Sequence, residues 1–350
     1  MSSLAGVSFA ILLMLMQLGF YRALLDNQLA LIEMFNADLV IVNKLKYTLV
    51  TSMPFSPRRI YQARTAQDVE SVYPIYLESE SSRLQAFPEQ TSRPVRVIAF
   101  NPDDPALKIP GISEMNAHLK LPETALFDSK SRPYWGSFHP GLHGELEGQR
   151  LKIIGNFELG PDLVTHGTLI MGEDNFIHYF PWQRARGMNK PQVDLGLVKL
   201  KDGGSLAAAR LSLNQLLPTD VVAMTMAEFR DKEVQFWKNN TPMGYAFGLG
   251  VVLGFVIGTV ICYQILFSDI HEQLPQFATL KAIGYTNTSL AVIVMQQSAY
   301  LALLAALPAL IICWILQNIV SQLTHLSLSM SLVETSTVIG VALIMSLLAG

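Results

Sequence analysis

Cysteine is scarce: the 350 residues carry two, Cys262 and Cys313, and both lie in uncharged apolar runs. The water-soluble part of the chain therefore has no disulfide framework, and it is long enough to bury a core without one. Charge is missing from the two ends. Of 25 Lys and Arg, only Arg22 and Lys281 fall outside Leu25–Met243, and the net charge is −3. That balance excludes the basic patch a nucleic-acid binder needs. No GxxxxGK[ST] occurs, so there is no P-loop, no nucleotide or other cofactor is expected on this chain, and ATP-driven work would fall to a partner. No GxSxG is present either, which removes the serine nucleophile elbow. The string HPGLHGELE sets His139, His143 and Glu145 close together, with His166 and His178 downstream. Pro140, Gly141 and Gly144 break the helix that an HExxH-type site requires. Loop histidines are expected there, no metal ligands and no catalytic residues, and the chain reads as non-enzymatic.

What is present is apolar length. Met243–Phe267 has no formal charge over 25 residues, against the ~20 that an α-helix needs to cross hydrocarbon. Ser289–Ile319 is again uncharged and longer than a span requires. Leu4–Leu24 is apolar apart from Gln17 and Arg22, with Arg22 at the end where a long side chain can snorkel to the interface. Its apolar run exceeds a signal-peptide core, no basic segment precedes it and no small-residue cleavage site follows, so a span is favoured over a signal peptide. A last span starts near Val333 with Glu334 at its outer end, and the apolar run stops at Gly350. Either end of the chain is expected to be cut short.

The resulting fold class is a four-helix transmembrane protein with a large α+β extracytoplasmic domain inserted between helices 1 and 2. The expected boundaries are 1–25 for the first span, 26–242 for the soluble domain, 243–267, 289–319 and 333–350 for the other spans, and 268–288 for a loop. Within the soluble domain, β-branched or apolar runs at Leu39–Val42, Val72–Leu77, Arg96–Phe100, Leu151–Phe157, Gly167–Met171 and Val221–Thr225 read as strands. Ser56–Ser71, Leu206–Leu216 and Met226–Lys238 read as helices. Residues 26–110 and 202–242 suggest one α/β part, and the Gly-, Pro- and His-bearing segment 111–201 a β-rich insertion.

Two stretches carry functional expectations. Gly250–Gly254 and Gly254–Gly258 have GxxxG-like spacing, which permits close helix approach, within the molecule or between two copies. His271–Tyr285, HEQLPQFATLKAIGY, lies between two spans. Pro275 suits a first helical turn and Gly284 a C′ position. Phe277, Leu280 and Lys281 then fall at i, i+3 and i+4, with Ile283 close to the same side. Such a face would meet either lipid headgroups or a partner protein.

One span, a soluble domain and three further spans, in that order, resemble the FtsX/MacB class of ABC-transporter permeases. Within it, QLPQFATLKAIGY is similar to the LPxxATLKAxGY string of DevC-type permeases of the cyanobacterial heterocyst glycolipid exporter; Gln276 stands where many members carry a carboxylate. The resemblance implies a cytoplasmic coupling helix in which Glu272, Phe277, Leu280, Lys281, Ile283 and Gly284 lie at or beneath a separate ABC ATPase subunit that holds ATP and Mg. It further implies a homodimer in the inner-membrane lipid, stalk helices at Leu24–Phe35 and Met226–Lys238, and a periplasmic adaptor leading to an outer-membrane channel. The function implied is the permease subunit of a tripartite exporter working by mechanotransmission, with a glycolipid or other amphiphile as cargo. The alternative is an FtsX-like signalling scaffold that activates an envelope hydrolase.

Overall fold

The computed structural model describes residues 2–86, 91–132, 135, 140–161, 164–188, 190–324 and 331–349. The chain divides into two compact units, residues 25–237 and residues 1–24 with 238–350. Helix α1 (Ser2–Glu33) and helix α6 (Met226–Asn239) run across the boundary between them.

Unit 25–237 is built on β1 (Leu39–Asn43), β2 (Val69–Glu78), β3 (Arg83–Ala86), β4 (Ser92–Pro94), β5 (Arg96–Phe100), β6 (Thr124–Asp128), β7 (His143–Leu146), β8 (Gln149–Phe157), β9 (Thr168–Gly172), β10 (Leu195–Leu200) and β11 (Val221–Thr225). Among the described residues these form one sheet in the order β11-β1-β10-β2-β5-β9-β6-β8-β7-β3-β4. Only β5 with β9 and β6 with β8 run parallel. The interior of the sheet explains its sequence. In β1, Leu39 and Ile41 point into one core and Val40 and Val42 into another, so the strand is an unbroken apolar run instead of an alternation. The first core is closed by α2 (Arg58–Ala63), α4 (Glu173–Tyr179) and α5 (Leu206–Leu216), through Ile60, Phe176 and Leu213; the second by the end of α1, α3 (Ile112–Leu119) and the start of α6, through Leu31, Leu119 and Phe229. The β7–β8 hairpin turns on Glu147 and Gly148, both with positive φ, 51° and 74°. That is the type I′ requirement for a two-residue loop, met easily by glycine at the second position.

Three expectations need correction here. The helix foreseen over 56–71 is only α2, six residues ending at Ala63, because Val69 already pairs with Leu200 in the sheet. Residues 111–201 are not a separate insertion. Strand β10 sits between β1 and β2, and β9 lies beside β5, while β3 from the earlier segment pairs with β7. Long-range strand pairing, which no local pattern encodes, joins the two parts. The third concerns 268–288: the short helix expected from Pro275 to Gly284 is the end of one long helix, Pro242–Ala282, that runs on from the span without a break.

The other unit is a bundle of α1, α7 (Pro242–Ala282), α8 (Asn287–Thr324) and α9 (Leu332–Ala349). Among the described residues three segments are long and apolar enough to cross a membrane, Leu4–Glu33, Gly244–Ile265 and Asn287–Leu323; Leu332–Leu347 is a shorter apolar helix. Of the four spans expected, three meet that length and composition among the described residues.

Candidate functional site: bundle seam, interhelical turn and buried charges

In the bundle α1 and α7 lie antiparallel. Tyr21 faces Phe247, with ring centroids 6.0 Å apart. A Cβ on Gly250 would collide with the Gln17 amide, one on Gly254 would meet Met14 Cγ at 3.6 Å, and one on Gly258 would meet Met345 Sδ at 3.1 Å and Ala10 Cβ at 3.4 Å. The three glycines therefore differ: Gly250 and Gly258 leave room for particular side chains of α1 and α9, and Gly254 makes ordinary contact. A second stripe of small residues was missed from the sequence. Ala302, Ala305, Ala306, Ala309 and Cys313 of α8 are all buried, at the i, i+3, i+4, i+7 and i+11 spacing of one helix face. Ser8 Oγ donates across to the Ala305 carbonyl at 3.0 Å, a contact that small residues permit. At the end of the bundle where α1 leaves it, Arg22 Nη1 donates to Glu334 Oε2 at 3.1 Å. Glu334 also accepts the Ser331 N–H at 3.3 Å while Ser331 Oγ accepts that of Val333 at 3.3 Å. S-x-x-E here is a capping box, closed a second time by the arginine.

Helix α7 has 41 residues, ~60 Å at 1.5 Å per residue, about twice the ~30 Å hydrocarbon thickness. Its apolar span ends at Ile265, and the rest carries His271, Glu272, Gln273, Gln276 and Lys281. Pro275 does not begin a new helix as expected; it lies inside α7. A proline forfeits one i→i−4 bond, and with regular turns on both sides the helix continues through it. The end is where the sequence placed it. Gly284 has φ +109°, the Gly284 N–H donates to Lys281 O at 3.1 Å and the Tyr285 N–H to Leu280 O at 3.2 Å. This is a Schellman closure with glycine at C′. Two residues on, Thr286 Oγ1 accepts the Ser289 N–H at 3.2 Å and opens α8. The turn is thus fixed by caps on both sides.

Of the six residues expected at a partner contact, Glu272, Lys281, Ile283 and Gly284 are exposed and Phe277 and Leu280 half-buried. Phe277 and Leu280 share a face with Ile270 and Gln273. Ile283 does not join them. As C-cap residue it stands 73% exposed beside Tyr285 at 47%, and a turn bearing such side chains has an apolar tip. In the other unit, His143 and Glu145 lie on β7, paired with β8, whereas His139 is outside the described residues. No group of three His, Cys, Asp or Glu that could hold a metal occurs among the described residues.

Unit 25–237 holds ionisable groups that the sequence did not single out. Glu233 of α6 is 1% exposed. Its carboxylate accepts from Thr48 Oγ1 at 2.7 Å, the Leu49 N–H at 2.9 Å and Trp237 Nε1 at 2.8 Å. Lys46 and Asp194 are buried together with Nζ–Oδ1 at 3.6 Å. Burial pushes the Asp194 carboxyl up to about 6, against the opposing pull of Lys46, and pulls the Lys46 ammonium down. Burial also holds the Arg96 guanidinium down to about 10. A cleft is lined by Tyr61, Arg64, Tyr76, Asp104, Glu173 and Lys190. Its charges balance in sign, with Tyr76 Oη donating to Glu173 at 2.9 Å and Lys190 donating to the same carboxylate at 3.2 Å.

No curated protein matches this chain. Among solved structures it is similar to the periplasmic region of MacB from Actinobacillus actinomycetemcomitans, at 12% identity over 59% of this chain and 95% of that one, TM-score 0.40. It is also similar to the extracellular domain of the noncanonic ABC-type transporter YknZ from Gram-positive bacteria, at 11% identity over 54% and 99%, TM-score 0.37. A permease-protein domain from Porphyromonas gingivalis aligns at 14% identity over 53% and 87%, TM-score 0.34. Residues 248–350, which take in most of α7, the capped turn and helices α8 and α9, match the model of the FtsX-like permease C-terminal family.

Proposed function

We propose that this chain is the non-catalytic permease subunit of an ATP-driven export system of the FtsX/MacB kind. The observation that carries the proposal is the family match over residues 248–350 together with a rigidly capped, apolar-tipped turn at Ile283–Thr286, beyond the apolar span of α7. A helix that continues unbroken from the bilayer to such a turn is suited to receive a push and pass it along its own axis. In this reading α9 serves as a fourth crossing, the turn faces the cytoplasm and docks on a separate ABC ATPase that holds ATP and Mg, and unit 25–237 stands in the periplasm. Two copies of the chain form the membrane core. A periplasmic adaptor and an outer-membrane channel complete the path, with a glycolipid or another amphiphile as cargo, as in the DevC-like branch. Nucleotide need only favour one of two arrangements of the bundle for this coupling to work.

The same family match also accommodates an FtsX-like scaffold that activates an envelope hydrolase. Co-purification of a ring-forming adaptor supports export; co-purification of a hydrolase without an adaptor supports the scaffold. The test of the shared core is reconstitution of the full chain in lipid nanodiscs with candidate ABC ATPases. The pair Leu280→Asp and Lys281→Glu is expected to abolish ATPase capture and any stimulation of hydrolysis, while the chain still folds and inserts. Undiminished capture by the double variant, or hydrolysis unchanged by the chain in every combination, removes the proposal.

A further inference from the structure

The cleft of unit 25–237 is assembled from separate stretches of chain: α2 with its C-cap residue Arg64, the turn after β5 that carries Asn101 and Asp104, Glu173 at the start of α4, and Lys190 beyond it. The Asp104 N–H donates to the Asn101 carbonyl at 2.9 Å, which fixes that turn. Several polar groups here already have partners. Glu173 is taken by Tyr76 and Lys190. Arg64 Nε and Nη2 both donate to the Val72 carbonyl, at 3.3 and 2.8 Å, and its guanidinium lies over the Tyr61 ring, 5.8 Å from the centroid. Tyr76 is 1% exposed and stacks on Phe176 with centroids 5.9 Å apart. With the aromatic surface so engaged, charge more than stacking must choose a ligand.

Three groups of opposite character are left over. The half-buried Asp104 carboxylate has neither a hydrogen bond nor an ion pair among the described residues, although Arg64 and Lys190 attract it from a distance and Glu173 and Asp103 repel it. Arg64 Nη1 makes no hydrogen bond among them either. Asn101 Oδ1 accepts the Asp103 N–H at 3.2 Å, which leaves its Nδ2 as a donor. One open anion thus shares the cleft with two open donors, one of them cationic. The geometry points to a binding site for a free α-amino acid, its ammonium on Asp104 and its carboxylate on Arg64 Nη1 and Asn101 Nδ2.

Size narrows the class further. The cleft has a volume of about 110 Å³ and is open on one side. Drug-sized ligands fill ~300–1,000 Å³, and an enclosed cavity of ~150 Å³ takes benzene, so the room here suits about five heavy atoms. Ammonium nitrogen, Cα and carboxylate make up that number, and every α-amino acid has them; the side chain leaves through the open side. A peptide fits less well because its two charges sit at opposite ends. A simple carboxylate would meet Asp104 with nothing to offset the repulsion, and a simple amine would leave the Arg64 and Asn101 donors unused.

The experiment is isothermal titration calorimetry of the full chain in phosphatidylcholine nanodiscs, with no ATPase or adaptor present; its failure is therefore distinct from failure of the export reading. Glycine and L-alanine are expected to bind. N-acetyl-L-alanine, which lacks the ammonium, and L-alaninamide, which lacks the carboxylate, should each bind about tenfold or more weakly, the worth of one hydrogen-bonded charge. Asp104→Asn should weaken L-alanine by a similar factor. No binding of glycine or L-alanine at ~10 mM overturns the site, as does a capped analogue that binds as well as L-alanine, or undiminished binding to Asp104→Asn. Phosphoethanolamine binding more tightly than both amino acids overturns it in favour of a lipid headgroup. If Asp104→Asn fails to fold, wild-type affinity for L-alanine in Arg64→Gln overturns it instead.

Discussion

Replacing Glu233 with alanine tests a dense buried polar contact of unit 25–237. The carboxylate is 1% exposed and satisfies three donors at 2.7–2.9 Å, from Thr48, Leu49 and Trp237. Each buried donor left without an acceptor costs ~1–3 kcal/mol. The Thr48 hydroxyl can rotate toward another acceptor, the Leu49 amide and the Trp237 indole cannot, so the total should be ~2–6 kcal/mol. For a unit of this size ~1 kcal/mol lowers the midpoint by ~2–4 °C, which puts the apparent melting temperature ~4–24 °C below wild type. Glu233→Gln keeps one acceptor oxygen and should lose about half as much, and Trp237→Phe, which removes one donor and leaves the acid intact, less again. Thermal unfolding of the full chain in detergent, followed by far-UV circular dichroism and intrinsic fluorescence, orders the three variants. A Glu233→Ala shift under about 2 °C, or Glu233→Gln worse than Glu233→Ala, would refute the reasoning, because neither is possible if unsatisfied donors set the cost.

Alanine at Gly254 should be neutral within about 0.5 kcal/mol. At Gly250 it should weaken the bundle measurably and be rescued by Gln17→Ala, since the clash is with that amide; denaturant titration of the reconstituted chain separates the two positions. Arg22→Ala should cost ~0.2–1 kcal/mol, as befits a part-exposed ion pair. Glu334→Ala should cost about 1 kcal/mol more because it also dismantles the capping box, and a double-mutant cycle reads the shared term. Gly284→Ala, at φ +109°, should cost ~1–2 kcal/mol locally, seen as faster hydrogen exchange over the last turn of α7 with the global midpoint unchanged. The buried Asp128 carboxyl is pushed up by desolvation against the N–H groups of Lys130, Leu159 and Gly160. Its folded pKa exceeds the unfolded one, so its contribution to stability is present at low pH and lost as pH rises through the folded value. Asp128→Asn should flatten that part of the pH–stability curve.

The pattern of charge and apolar length located the membrane helices, and the strand β1 was legible because four β-branched or leucine residues in a row can only be buried on both sides. Gly284 was legible for the same kind of reason: a C′ glycine after a helical stretch is a local conformational requirement. Pro275 misled, because a proline inside a long helix and one at its start look alike in sequence, and only the flanking turns choose between them. The alanine stripe of α8 is written in the sequence at helical spacing, but alanine is common in apolar spans and does not by itself mark a packing seam as glycine does.

What the sequence determined by itself is therefore what depends on neighbours along the chain: helix length, cap residues, turn glycines and the apolar runs. Tertiary structure alone decided what depends on distance across it. It set the placement of β10 between β1 and β2, paired Arg22 with Glu334, and brought Glu233 to Thr48 and Lys46 to Asp194. In the sequence those six residues are ordinary surface types. Only the fold removes water from around some of them, and the loss of water is what gives their charges consequence.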